Sequence, residues 1–328
     1  MNTASLLIGD IGGTNARFAL SNPDAPGITQ VMNLRCADYP TAEAAIADYL
    51  AQSGAASPEV ICIAAAGPVV DQRVRFTNNH WTLSAQDLAE DFNSARVRLL
   101  NDFEAIAYSI PFLGPDSCVA AGLAPVGDLG DRDFTVGIIG PGTGLGAAGL
   151  LRRNGILHPV VGEGGHVGFA PETQLQIKLL GQLHARFDRV SDERLISGPG
   201  LENIYAALQA LHGDKPLHAS AQEIFERATK AEDGRASEAL QLFFEVLGQV
   251  AGNLALTLGA VDGIYIAGGI VKRNPALLVS SLFRSAFESK GRHRALMERI
   301  PAQVIVHPQP GLLGASYVAL TMVKQPNH

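Results

Sequence analysis

No block of lysine or arginine occurs in the chain, although 25 of these residues face 32 Asp and Glu for a formal charge of −7. That balance excludes nucleic acid and anionic membrane as expected partners. Long apolar runs are missing too, and nothing approaches the roughly 18 residues of a membrane span. The opening "MNTASLLIGDIGG" lacks a basic segment and holds three apolar residues in a row, so no signal peptide is expected. Cysteine is scarce: Cys36, Cys62 and Cys118 are scattered and odd in number, which excludes a disulfide framework and predicts a reduced, cytoplasmic protein. Glycine is abundant, with 35 residues in a chain that is 47% hydrophobic and 17% charged. The 328 residues suffice for two domains of ordinary size.

Apolar runs of strand length alternate with helical patterns, which predicts an α/β protein. Strands are expected at Leu6–Ile8, Ala16–Leu20, Val60–Ala66, Val97–Leu100, Phe134–Ile139, Ala147–Leu151, Gly263–Ala267 and Gln303–His307. Helices are expected at Thr41–Ala51, Ser84–Phe92, Thr173–Phe187, Gly200–Leu211, Ala221–Ala231, Ala236–Leu258, Pro275–Glu288 and Leu312–Val323. Ser84-x-x-Asp87 is a capping-box variant. The Gly-, Pro- and Asp-rich segment Gly114–Asp133 is the best boundary. "LLIGDIGGTNARFAL" and "FTVGIIGPGTGLGAAGLL" share one plan of strand, glycine turn and strand, which suggests two domains of related topology.

Gly9, Gly12 and Gly13 surround Asp10, with Thr14 and Asn15 following. Glycines let amide N–H groups approach an anion closely. The spacing fits neither a dinucleotide-binding fingerprint nor a Walker A loop. What remains is a phosphate-embracing hairpin or a plain tight turn. A carboxylate beside such a turn is awkward unless a cation intervenes, and Mg2+ binds one or two carboxylates together with phosphate oxygens. Gly142-Thr143-Gly144 forms the second hairpin turn, and Gly268-Gly269 follows a strand, where an α/β sheet meets its ligand and adenosine could sit.

"HPVVGEGGHVGFAP" places Glu163 and His166 among four glycines. A metal-binding helix is disfavoured by those glycines; a surface loop, or a loop offering a carboxylate and an imidazole to a polyhydroxylated ligand, remains. Glu193, before a glycine turn, reads alone as a solvated charge. Asn78-Asn79-His80-Trp81 is either a sugar contact or a packed turn. His158, His184, His212, His218, His293, His307 and His328 form no metal spacing. At Asn101-Asp102 a strand-like run gives way to a helical pattern, and Asp102 reads locally as a helix cap.

Taken together, these residues resemble the bacterial glucokinase family, part of the group of sugar kinases, actin and Hsp70-type ATPases. The resemblance runs almost end to end through "GDIGGTNARFAL", "AAAGPVVDQRVRFTNNHW", "LLNDFEAIA", "GPGTGLGAA", "GEGGHVGFAP", "ERLISGPGLENIY", "GIYIAGGIV" and "PGLLGAS". It implies two RNase H-like α/β domains with a cleft between them: a small one of residues 1–112 plus 308–328 and a large one of residues 113–307. It also implies ATP-dependent phosphorylation of the glucose 6-hydroxyl with Mg2+, in a cytoplasmic homodimer. Carried over by position, Asp102 is the catalytic aspartate and also touches the sugar, Asn101 is its neighbouring sugar ligand, and Glu163, His166 and Glu193 complete the sugar set. Asp10 falls on the metal-associated carboxylate. Gly9, Gly12, Gly13, Thr14, Asn15, Gly142, Thr143, Gly144, Gly268 and Gly269 fall on the nucleotide side. Gly168 departs from the pattern, where an acidic residue is expected. A related branch of sugar kinases and repressors carries a cysteine-rich zinc motif; with no Cys after Cys118, structural zinc is not expected here. Only eight residues precede Gly9, which leaves no expected DNA-binding segment.

The expected reaction is in-line phosphoryl transfer, with Asp102 accepting the 6-hydroxyl proton at its ordinary carboxylate pKa of about 3.9. Three alternatives share the scaffold: a kinase for another hexose, one using polyphosphate as donor, and a catalytically silent sugar or nucleotide sensor. An intact Asp102 beside two phosphate hairpins argues against the sensor, and the lack of a basic groove argues against a long polyanion.

Overall fold

The computed structural model describes residues 5–22, 24–76, 78–94 and 96–324. Thr77 and His328 lie outside the described residues. Contacts divide the chain into two units, Met1–Gly114 with His307–His328, and Pro115–Val306.

The first unit opens with β1 (Leu6–Ile11), β2 (Asn15–Ser21) and β3 (Ile28–Arg35). It continues through α1 (Ala42–Ser53), β4 (Val60–Ala65), β5 (Arg73–Arg75), β6 (Thr82–Ser84) and α2 (Ala85–Asp91) to β7 (Arg96–Asn101) and α3 (Asp102–Ser109). Its main sheet has the order β3-β2-β1-β4-β7, antiparallel across β3-β2-β1 and parallel across β1-β4-β7. β4 ("VICIAA") is buried along its whole length, as a strand covered on both faces must be. On one face Leu7, Ile11, Ile61, Ile63 and Leu99 pack with Ala45, Ile46 and Tyr49 of α1. Thr41 starts α1 by accepting the Ala44 amide, and Gly54 in the left-handed region ends it.

The second unit contains β8 (Cys118–Ala120), β9 (Phe134–Pro141), β10 (Leu145–Arg153), β11 (Ile156–Gly162), α4 (Gln174–His184) and α5 (Gly198–His212). Then come α6 (Ala221–Thr229), α7 (Gly234–Leu258), β12 (Gly263–Ile266), α8 (Gly269–Lys272), α9 (Pro275–Val279), α10 (Phe283–Glu288), α11 (Arg294–Met297) and β13 (Ala302–Ile305). The sheet order is β11-β10-β9-β12-β13-β8, again antiparallel across the first three strands and parallel across β9-β12-β13. The duplicated plan seen in the two glycine motifs is therefore a duplicated topology. α7 is long and apolar enough to cross a membrane by composition, but it is the central core helix of this unit, mostly buried against α5, α6 and α10. The last helix, α12 (Pro310–Lys324), belongs to the first unit and lies against α3, β1 and β4.

Three expectations need correction. Pro275–Glu288 is not one helix: it breaks after Val279, and the Ser281 hydroxyl accepts the Phe283 amide, a local bond that competes with the helical ladder. β3 and β11 escaped the apolar pattern because both are edge strands with mostly exposed or half-buried residues. β11 even carries Pro159, which an edge tolerates. The full capping box lies at Ser220–Glu223, ahead of α6, whereas Ser84 caps α2 without a reciprocal bond.

Candidate active site

In the first unit the parallel strands deliver their chemistry to one end of the sheet. Ile11 pairs with Ala65 and Ala65 with Asn101, so the end of β1, the end of β4 and the start of α3 share one row. Two strand spacings separate β1 from β7, about 10 Å. Asp10 stands one residue before this row and the Gly12–Thr14 turn just beyond it. The turn is closed by the Gly12 amide donating to the Asn15 carbonyl at 2.9 Å. Gly9 lies elsewhere: it is buried inside β1, facing Phe18 and Ile63, and serves packing rather than the turn. Burial pushes the Asp10 carboxyl up, opposed by the Arg17 guanidinium 3.5 Å away. A half-buried carboxylate with so loose a counterion suits a hard divalent cation, and its oxygens are the ligands Mg2+ takes.

Asn101, and not Asp102, is the helix cap. Its side-chain oxygen accepts the amides of Phe103 at 2.9 Å and Glu104 at 3.3 Å, while its amide group donates to the Gly67 carbonyl at 3.1 Å. Asp102 is thereby the first residue of α3, with one oxygen 2.9 Å from the Phe103 amide.

In the second unit Glu163, His166 and Glu193 come together. Glu163 and His166 flank a single tight turn, and His166 stands 4.0 Å from a Glu163 oxygen through Nε2 and 4.0 Å from a Glu193 oxygen through Nδ1. All three remain partly exposed, Glu163 most of all. Glu193 is no loose surface charge: its other oxygen accepts the Leu145 amide at 2.9 Å, immediately after the Gly142–Gly144 turn. Gly168 bridges Ser191 in extended backbone, and a side chain there would approach Arg189. Asp192 beside Glu193 is buried, which pushes its carboxyl up to about 7 against the opposing charge of Arg189.

The same unit holds a cavity of about 670 Å³ lined by Gly142, Thr143 and Gly269 together with Glu202, Gln222, Phe225, Ile270, Arg273 and Asn274. Gly268 shapes it from behind: its φ is +95°, and a Cβ there would lie 2.1 Å from the Pro141 carbonyl oxygen, so only glycine closes the β9–β12 junction. The residues from α5, α6 and α8 escaped the sequence reading; Arg273, a cation four residues past a glycine pair at a strand end, was the available signal. In Asn78–Trp81 the tryptophan is buried, its indole donating to the Tyr39 carbonyl at 3.1 Å, while Asn78 and His80 are exposed. Among the described residues no group of three or more His, Cys, Asp or Glu is placed to hold a metal by itself, so a cation here would depend on oxygens of its ligand.

The strand topology used twice is that of the actin-like ATPase fold, the fold of sugar kinases. The family model described as Glucokinase matches residues 7–322, and the chain belongs to the glucokinase family. It is 42% identical over 317 residues to a glucokinase of Caulobacter sp. strain K31, covering 96% of this chain and 94% of that protein. A glucokinase from an Antarctic psychrotroph shares its structure with a TM-score of 0.88 at 32% identity, covering 97% of this chain and 99% of that one. A ROK family glucokinase from Streptomyces griseus, solved in complex with glucose and AMPPNP, shares the fold with a TM-score of 0.64 at 21% identity, over 97% and 100% of the two chains.

Proposed function

We propose that the chain transfers the γ-phosphoryl group of ATP to the 6-hydroxyl of D-glucose, giving glucose 6-phosphate and ADP, and so feeds glycolysis. The observation carrying this reading is the shared sheet end of the first unit, where Asp10, the glycine turn and the capped Asp102 converge. Asp102 accepts the hydroxyl proton while the bond from O6 to phosphorus forms and the bond to the β–γ bridging oxygen breaks. The electron pair leaves with ADP, and the proton passes from Asp102 to solvent. Asn101, Glu163, His166 and Glu193 pair with the other hydroxyls, so that a hexose lacking one leaves polar groups unmatched. Asn101 can contribute only the N–H not given to Gly67, because its oxygen is committed to the cap.

The large cavity takes the adenosine part of ATP, with Phe225 and Ile270 as apolar walls and Arg273 as a cation near its mouth. Gly12–Thr14 and Gly142–Gly144 present amides to the phosphates. Asp10 would hold Mg2+ together with the nucleotide, and the ion would supply charge neutralisation to the transferring group. Residues 1–112 with 308–328 and residues 113–307 act as small and large domains, in a cytoplasmic homodimer. Family resemblance supports the dimer and its location, and the three free cysteines accord with a reducing compartment.

A coupled ADP-release assay across a hexose panel, with ATP and polyphosphate as donors, tests the reading. Glucose-dependent release with ATP is expected. Release independent of sugar removes the kinase assignment, and binding without turnover favours a sensor.

A further inference from the structure

The turn that carries the only tryptophan does more than fill the first unit's core. Asn79 donates from its side-chain amide to the Gly12 carbonyl at 3.3 Å, and the Cys36 thiol donates to the same oxygen at 3.8 Å. The other end of the Asn79 side chain accepts the Trp81 amide at 3.1 Å. Trp81, 2% exposed, is tied to the Tyr39 carbonyl, as is His80 through Nε2 at 3.0 Å. From the other side the Cys36 amide donates to the Thr14 carbonyl at 2.9 Å. Thus a buried anchor ends, through Asn79, on the first carbonyl of the glycine turn.

A trans peptide holds its C=O and N–H antiparallel. Two donors pulling the Gly12 carbonyl inward therefore turn the Gly13 N–H outward, the orientation an anion-binding turn requires. Glycine at 12 and 13 has little intrinsic preference for that orientation, so something outside the turn must select it. Asn78 closes on Gly13 as well: a Cβ at Gly13 would lie 3.0 Å from Asn78 Cβ and 3.2 Å from its carbonyl oxygen.

We propose that Asn79 is a positioning residue for phosphoryl transfer, fixing the Gly12–Gly13 peptide so that the Gly13 N–H faces a terminal phosphate of the nucleotide. This rests on the kinase reading above. Asn79 touches neither substrate, and its effect runs through the Gly12 carbonyl.

Asn79→Asp and Asn79→Ala test it. At pH 8 the carboxylate introduced by Asn79→Asp can only accept, so it repels the Gly12 carbonyl; once protonated, it donates again. Arg35 from the end of β3, Cys36 from the turn after it, and His80 from the same loop line the adjoining cavity of about 480 Å³. Arg35 favours the ionised carboxylate and moves the recovery to lower pH. His80 is itself titratable, so each rate is divided by that of the wild type at the same pH. At pH 8 Asn79→Asp should lower kcat/KM for ATP about 10- to 100-fold while glucose affinity by calorimetry stays within about twofold. Between pH 8 and pH 5 the ratio to wild type should climb for Asn79→Asp, by about fivefold where the loss at pH 8 is near 100-fold and by less than about twofold where it is near 10-fold, and stay flat for Asn79→Ala. Calorimetric binding of AMPPNP across the same pH range makes the comparison without turnover; a wild type that binds AMPPNP but shows no glucose-dependent ADP release removes the kinase reading alone. Asn79→Asp with unchanged ATP parameters overturns the proposal. So does equal loss of glucose and nucleotide affinity with no recovery at low pH, the mark of a merely structural role.

Discussion

Asp102 owes its place to the residue before it. Asn101 uses its oxygen for two helix amides and its nitrogen for the Gly67 carbonyl, and this pins the first turn of α3 to the end of β7. Asp102→Asn keeps the shape and removes the proposed base. We expect kcat to fall by about 10²- to 10⁴-fold with glucose affinity changed less than about threefold, as read by steady-state kinetics and calorimetry. Turnover near that of the wild type would take the base role from Asp102. Asn101→Ala should cost about 1 kcal/mol of stability through the lost cap, measured by urea unfolding, whereas Asn101→Asp keeps an accepting oxygen and should cost less. Asp192 has a different signature. Its pKa rises from 3.8 in the unfolded chain to about 7 on burial, so the folded protein holds a proton that the unfolded chain has released between those values. Stability from this group is fully present below about pH 4 and is lost as pH rises through 7. Asp192→Asn has no charge to bury, so its melting temperature relative to wild type should climb from pH 4 to pH 8. A difference that does not change with pH would remove Asp192 as the source.

At the scale of elements, α12 and α3 meet almost backbone to backbone. A Cβ on Gly314 would lie 1.7 Å from the Ala105 carbonyl oxygen, far inside contact distance, so no side chain fits there without moving one helix. Gly314→Ala should push α12 away from α3, lowering stability by about 1–3 kcal/mol or more in thermal or urea unfolding and depressing kcat through a shifted Asp102. Unchanged stability would show that the two helices tolerate separation. Ser316 ties the same helix to the strand side: its hydroxyl lies 2.6 Å from that of Ser21 and donates to the Gly27 carbonyl at 3.0 Å. The link between Glu193 and the Leu145 amide joins the Glu163, His166 and Glu193 cluster to the second glycine turn in the same way.

For the whole molecule, one strand plan used twice presents a glycine turn at the end of each sheet. The reading of Asp10 as a metal-associated carboxylate predicts that EDTA abolishes glucose-dependent ADP release and that added Mg2+ restores it. Glucose binding by calorimetry should survive EDTA, since no sugar contact is assigned to the metal. Full turnover in EDTA would reject Mg2+.

Much of this was legible in the chain because it depends on local order. Alternating apolar residues around "GDIGGTN" and "GPGTGLG" specify hairpins, since glycine lets the chain reverse tightly between two paired strands. Asn101-Asp102 marked a strand-to-helix junction, whereas the meeting of Glu163, His166 and Glu193 depends on two loops about 30 residues apart. Edge strands β3 and β11 were hidden because half of their surface faces solvent and needs no apolar pattern. Which of Asn101 and Asp102 caps the helix depends on hydrogen bonds whose third partner, Gly67, is 34 residues away. The lining of the large cavity draws residues from α5, α6 and α8, separated by dozens of positions, and no local spacing encodes that meeting. The burial of Asp192 and the grip of Asn79 on Gly12 are of the same kind. The sequence alone determined the family, the paired hairpins and the identity of the polar groups, because those follow from residue type and order. Only the tertiary structure decided which groups hold one another and which stay available for a ligand, because hydrogen-bond partnership and desolvation arise from contacts distant in the chain.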